Sequence, residues 1–249
     1  MSGVALLIFA RCAGFAFRAP GFSHPAVPPP LRAGFAYALA LALAPATLPA
    51  AHLPRGAAFG LALAAEVALG AALGTAASLL YDGAYAGGRL VDDYVGIRAN
   101  APSANLAPSS GFGRLWSLAF VAGFFTFGGD RLALNTFAGT FETLPVGVLV
   151  GAPQLATFAV ALPATLVRAA LFIGGPAFVC AFAGQLALAA LARVVPRFSP
   201  FTLSFGVTFA LALLATLLTL PALLPLSARP WLVPLSARPS VVPPAASGR

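Results

Sequence analysis

Six acidic residues are all that this 249-residue chain carries, and all six fall between Glu66 and Glu142. On either side, single arginines punctuate long apolar runs that contain no carboxylate. A chain so short of charge cannot clothe a globule in a solvated surface. Charged residues make up 8% of it, against about 25% in an ordinary soluble domain, and its mean hydropathy is +0.93. A bilayer core offers no water to backbone amides, so the spanning segments must satisfy their own hydrogen bonds as helices. The composition therefore predicts an all-α membrane protein. Its length has room for about five to seven crossings of roughly 20 residues each, in one membrane domain.

The confinement of the acids also shows where chemistry is to be sought. A carboxylate among apolar segments is costly and needs a partner, a wet cavity or a proton. The bases, all arginine, give a formal net charge of +8. They are scattered singly, without the clustered face that phosphate binding needs. Nucleic acid is excluded as a partner, and anionic headgroups at a membrane surface are the natural counterpart. Cys12 and Cys180 both sit in apolar segments and read as buried reduced thiols. The first apolar run lacks a basic start and carries Arg11 in its middle, unlike a signal peptide.

Along the chain, Val4–Phe17 is apolar but short, and breakers follow from Pro20 to Pro30. Leu31–Leu48 is a span candidate, and Ala57–Leu80 is the cleanest one, interrupted only by Glu66. Tyr81–Gly113 is polar and glycine-rich. Leu115–Phe127 is too short to cross alone, and Leu132–Gly151 reads as amphipathic or re-entrant. Pro163 and Gly174-Gly175-Pro176 divide Leu155–Leu191 into two expected spans of a tight hairpin, and Phe201–Leu224 is the last span. The sum is about five to six broken apolar helices and hairpins over residues 1–224. Residues 225–249 form a proline-rich tail in which PLSARP occurs twice, at Pro225–Pro230 and Pro234–Pro239; that density of proline favours disorder. Arginines flank the last span on both sides, so the positive-inside rule does not orient it.

Three constellations carry chemistry. On a helix, Arg89 faces Asp92 and Asp93 at i+3 and i+4; such an element either lines a wet pathway or forms an exposed helix face. Glu66 lies mid-span and is expected to be buried and hydrogen-bonded, or turned toward another subunit, ahead of serving as a proton carrier. Tyr81-Asp82 with Gly128-Gly129-Asp130 approaches the paired motifs of intramembrane aspartyl proteases, but Phe127 stands where the first glycine belongs. Four pairs of glycines spaced four apart, Gly56/Gly60, Gly70/Gly74, Gly83/Gly87 and Gly147/Gly151, permit close helix packing. His24 and His52 are lone residues, and neither a metal site nor any other cofactor is expected.

Several blocks together resemble the FliR/SctT family of export-gate proteins from flagellar and type III secretion systems. They are Arg11 through PGFSHPAVPPPLRAGFAYALALALAP at Pro20–Pro45, EVALGAALG at Glu66–Gly74 with AGGRLVDDYVG at Ala86–Gly96, GRLWSLAFVAGFFTFGGDRLALNTFAGTFETLPVG at Gly113–Gly147, and LALAALARVVP at Leu186–Pro196. The similarity spans roughly residues 4–224. Two departures concern which system is served: Arg89 stands where the family usually has Glu or Gln, and Arg197-Phe198-Ser199 replaces a Gln-x-Asn run. The resemblance implies a non-enzymatic subunit of a protein-conducting gate in the bacterial inner membrane. It implies assembly with P-type and Q-type subunits into a helical pore partly raised out of the bilayer, and passage of unfolded polypeptides. It further implies that the loop at about Asn100–Gly113 plugs the pore, through Asn100, Pro102, Ser103, Asn105, Pro108, Ser109, Ser110 and Gly111. The rival classes are a small proton-coupled secondary transporter built on Glu66 or Asp82, and the aspartyl protease.

Overall fold

The computed structural model describes residues 3–23, 27–47, 53–96, 111–147, 152–194 and 200–228. They form seven α-helices in chain order, α1 (Gly3–Arg18), α2 (Pro29–Thr47), α3 (Ala57–Val95), α4 (Gly111–Thr126), α5 (Gly129–Thr143), α6 (Ala152–Val194) and α7 (Pro200–Leu223), closed by a 3-10 turn at Leu224–Ala228. No strand occurs among the described residues. The chain is an all-α membrane protein, as its composition requires. Among the described residues, three stretches are long and apolar enough to cross a bilayer: Ala57–Val95, Val160–Val194 and Leu203–Ser227.

Helix α3 is the axis of the fold. One end packs against α1, and the other against α4 and α6. At about 1.5 Å per residue its 39 residues extend about 58 Å, roughly twice the hydrocarbon thickness of a bilayer. Part of the helix therefore stands outside the apolar slab. The polar stretch from Tyr81 is not the separate element that the sequence suggested, because the helix runs through it to Val95. The reason is tertiary: the glycines of this stretch lie at helix contacts instead of breaking the helix. A β-carbon on Gly87 would collide with the Ala170 carbonyl of α6, and one on Gly88 with the backbone at Gly113 of α4. Gly96 ends the helix in the left-handed region at φ 83°, and its N–H bonds the Asp92 carbonyl.

The expected hairpin in Leu155–Leu191 is likewise one 43-residue helix, α6, with Pro163 and Pro176 inside it. A buried stripe of Ala169, Ala170, Ile173, Ala177 and Ala181 recurs at helical spacing, and α6 packs along α3 and α7. Neighbouring packing of this kind lets an apolar helix keep its course through proline.

Two apolar cores result. The first joins α1, α2, the first half of α3 and α5 around Leu7, Ile8, Phe15, Leu73, Phe137 and Phe141. The second joins the later part of α3 with α4, α6 and α7 around Val91, Phe112, Trp116, Phe120, Ile173 and Ala212. The 3-10 turn packs back on α4, with Ser227 buried beside Gly123. The tail from 229 onward, including the second PLSARP copy, lies outside the described residues.

Candidate functional site: two buried carboxylates on the central helix

In α1 the buried positions Leu7, Ile8, Arg11, Cys12 and Phe15 follow helical spacing, so Arg11 occupies a place in the apolar stripe. The facing surface of α3 is made of Gly70 and Gly74. A β-carbon on Gly70 would fall on the Arg11 carbonyl, so the two helices touch backbone to backbone. That closeness brings the Arg11 guanidinium onto Glu66. Nε donates to Oε2 at 2.5 Å and Nη2 to Oε1 at 3.1 Å, a two-point fork between side chains only 1% and 3% exposed.

The fork is the centre of a larger network. Arg11 Nη1 donates to the carbonyls of Thr140 at 3.3 Å and Leu144 at 3.0 Å, at the C-terminus of α5, where the helix dipole is negative. The guanidinium carbon lies 4.4 Å from the centre of the Phe141 ring. Glu66 Oε1 accepts the Gly147 N–H at 2.9 Å, from the turn that follows α5. Phe137 stacks on Phe15 at 4.3 Å and meets Phe141 edge-on, sealing the network in rings. One arginine and one glutamate thus fasten α1, α3, α5 and the turn at Gly147 together. A carboxylate held this way is a fixed counter-charge. Its lone pairs are engaged by three N–H donors, an arrangement that suits a lock better than a proton carrier.

Asp92 is the second buried carboxylate, with no exposed surface. Its Oδ1 accepts the Phe112 N–H at 2.9 Å and its Oδ2 the Gly113 N–H at 3.3 Å. It thereby caps the first turn of α4 from a different helix, where the dipole favours a negative charge. The same carboxylate ties the last turns of α3 to the first turn of α4. Arg89 and the exposed Asp93 share the last turns of α3 with it. Asp92 directs its carboxylate to the backbone of α4, a use that the i+3 and i+4 spacing did not suggest.

Asp82 accepts a hydrogen bond from Ser78 Oγ at 2.7 Å and lies 3.7 Å from Arg18, whose Nε donates to Thr75 Oγ1 at 3.1 Å. Asp130, in the first turn of α5, lines an aromatic pocket that does not include Asp82. Among the described residues no three His, Cys, Asp or Glu side chains gather as metal ligands. Of the expected plug residues, Asn100, Pro102, Ser103, Asn105, Pro108, Ser109 and Ser110 lie outside the described residues, as do His24 and His52. Gly111 opens α4 and is exposed. Of the four glycine pairs, Gly70/Gly74 meets α1 and Gly83/Gly87 meets α6, whereas Gly56 and Gly60 face open space.

Arg11, Thr140, Leu144 and Gly147 were not singled out as partners of Glu66 from the sequence. The available signal was Arg11 itself, a lone base on the apolar stripe of a short helix, opposite a lone acid on another. Two of its acceptors are backbone carbonyls, which leave no mark in a sequence.

The chain matches the family described as "Bacterial export proteins, family 1" over residues 3–231. A search of curated proteins returned no match.

Proposed function

Since this chain belongs to the family of bacterial export proteins, family 1, and is thus a membrane subunit of a protein export apparatus, we propose that it forms part of the protein-conducting gate itself. In this reading it sits in the bacterial inner membrane, assembled with P-type and Q-type subunits, and unfolded polypeptides pass through the shared pore. Residues 1–224 build the gate and residues 225–249 form its tail. It is not an enzyme, and the driving force comes from other components.

The family match over residues 3–231 carries the proposal. The geometry supports it in two ways. Helices α3 and α6, at about 58 and 65 Å, exceed the bilayer core about twofold, which suits an assembly partly raised out of the membrane. Large side chains such as Val160, Leu171, Val179, Leu217 and Leu218 remain exposed along α6 and α7, an apolar surface for lipid or neighbouring subunits to cover. The loop at about Asn100–Gly113 serves as the pore plug, with Phe112 and Gly113 tied to Asp92 where the chain enters α4, and Arg89, Asp92 and Asp93 form the charged element beside it.

The rival classes fare less well. A proton-coupled transporter needs a carboxylate free to exchange its proton, whereas Glu66 is engaged by Arg11 and the Gly147 N–H. An aspartyl protease needs two carboxylates on one water, whereas Asp82 pairs with Ser78 and Arg18, and Asp130 lines a separate pocket. Purification of the full chain after expression with its native membrane neighbours tests the proposal. Stable co-purification with two further apolar subunits is the expected result. Substrate-dependent proton flux through vesicles holding this protein alone overturns it.

A further inference from the structure

Four acids other than the exposed Asp93 and Glu142 have carboxylates within the fold, and three are visibly partnered. Glu66 has Arg11 and the Gly147 N–H, Asp92 has two amides of α4, and Asp82 has Ser78 and Arg18. Asp130 differs. Its Oδ1 is buried and has no hydrogen-bond partner. An unmatched carboxylate oxygen out of water is unfavourable by itself and is normally completed by a donor. Asp130, half-buried as a residue, lines an open cavity of about 220 Å³ together with Phe15, Phe22, Phe35, Phe124 and Phe125. Phe22 stacks on Phe35 at 4.1 Å, and Phe124 meets Phe125 edge-on at 5.4 Å, so this wall is aromatic.

Aromatic faces and a carboxylate share one preferred ligand, a cation on an apolar stem. The rings attract it through their quadrupoles and the carboxylate accepts its N–H. Size and place narrow the choice further. A cavity of about 150 Å³ takes a benzene-sized molecule, and one of about 220 Å³ suits one long side chain. The lining comes from α1, α2, α4, α5 and the turn after α1, with nothing from the three bilayer-capable stretches. That placement favours a protein side chain over a lipid headgroup. We infer that the Asp130 pocket is a docking site for an arginine or lysine side chain presented by a neighbouring protein subunit. The inference deepens the gate proposal and rests on it for the neighbour's presence.

The experiment places the photo-crosslinking residue p-benzoyl-phenylalanine at Phe125, which is exposed and lines the pocket, in the full chain expressed with its native export apparatus. It compares the parent with Asp130→Asn and Asp130→Glu. The expected adduct is a peptide of another membrane subunit with arginine or lysine at or beside the crosslinked residue. Its yield falls about tenfold in Asp130→Asn, as for loss of a charge-assisted contact, and is largely kept in Asp130→Glu. The apparent Tm of the isolated Asp130→Asn chain stays level or rises, because an unmatched charge has been removed from an aromatic site. A purely structural aspartate gives the opposite pattern, a lower Tm with the adduct unchanged, and that overturns the inference, as does an adduct confined to lipid or to this chain. Intact co-purification of the native neighbours with an adduct indifferent to Asp130 sinks the pocket and leaves the gate proposal standing. An Asp130-dependent adduct on a basic site of a protein outside any export apparatus does the reverse.

Discussion

Arg11 and Glu66 meet at 2.5 Å in the interior of the protein, 55 residues apart in the chain and both withdrawn from solvent. Removing one partner of a buried pair leaves the other charge uncompensated, at a cost of about 3–5 kcal/mol. Arg11→Ala and Glu66→Ala should each lower the apparent Tm of the detergent-purified protein by about 10 °C. The double change Arg11→Met with Glu66→Leu should recover most of that loss. It removes both charges together, leaving only the Gly147 N–H and the α5 carbonyls without partners, at about 1 kcal/mol each. Thermal unfolding of the three variants checks the order, and a double mutant worse than either single one contradicts it.

That pair also marks the boundary of what the residues alone disclose. Glu66 is conspicuous as the one charge in a run of apolar helix, and the all-helical membrane class follows from composition. The helix boundaries are a different matter. Tyr81–Gly113 read as a stretch apart from the clean span Ala57–Leu80, yet Gly83, Gly87 and Gly88 lie inside one continuous helix, where α6 and α4 come too close for a β-carbon; the four-residue spacing of Gly83 and Gly87 did point to close packing. Local propensity disfavours glycine in a helix by about 1 kcal/mol, and backbone contact with two other helices outweighs it. Pro163 and Pro176 in α6 misled in the same way. At the site, Asp92 was read against Arg89 on its own helix, and that spacing gave no sign that its carboxylate also accepts from amides about twenty residues away. Spacing rules describe neighbours along one helix and carry no information about the backbone of another.

The contact of α1 with α3 gives a paired prediction. Gly70→Ala would push a methyl group against the Arg11 carbonyl and should destabilise by about 1–3 kcal/mol through overpacking. It would also pry apart the Arg11–Glu66 fork. Gly60→Ala on the same helix meets nothing within 4 Å and should be neutral, or stabilising by about 0.5–1 kcal/mol from helix propensity. Equal losses at the two positions would refute close packing at Gly70.

Cys12 offers a chemical probe of the same core. Burial pushes its thiol up to about 12, so the thiolate that reacts with alkylating agents is absent across the neutral and mildly alkaline range. In a Cys180→Ser background the folded protein should resist iodoacetamide at pH 8.5 and become fully alkylated in sodium dodecyl sulfate. Mass spectrometry reads both states. Prompt labelling of the folded protein would show that α1 separates readily from α3.

Asp92 supports a prediction about local order. Its carboxylate completes the first turn of α4, so Asp92→Ala should cost about 1–2 kcal/mol, as for loss of a helix cap. The effect should concentrate at the Phe112 and Gly113 amides. Hydrogen exchange there should accelerate about tenfold, while exchange in α1 stays unchanged. A uniform acceleration over the whole chain would make Asp92 a general stabiliser instead of a local clamp.

The same clamp frames the test of the proposed plug. Gly96 closes α3 and Gly111 opens α4, so the segment between them begins and ends on fixed elements. Its composition from Ser103 to Ser110, SANLAPSS, has no helical period and contains Pro108. Shortening Ser103–Ser110 leaves the Asp92 contacts and both cores in place, so assembly should persist at its normal level. If the segment seals a pore, cells carrying the shortened protein in a complete apparatus should admit small solutes that the parent excludes. Asp92→Ala should show a weaker leak of the same kind, since it frees one end of the segment without removing it. Uptake of a small membrane-impermeant dye, measured beside the yield of assembled complex, distinguishes the outcomes. Unchanged permeability with normal assembly would reduce the segment to a connector, and a leak from Asp92→Ala alone would place the seal at the clamp instead of the loop.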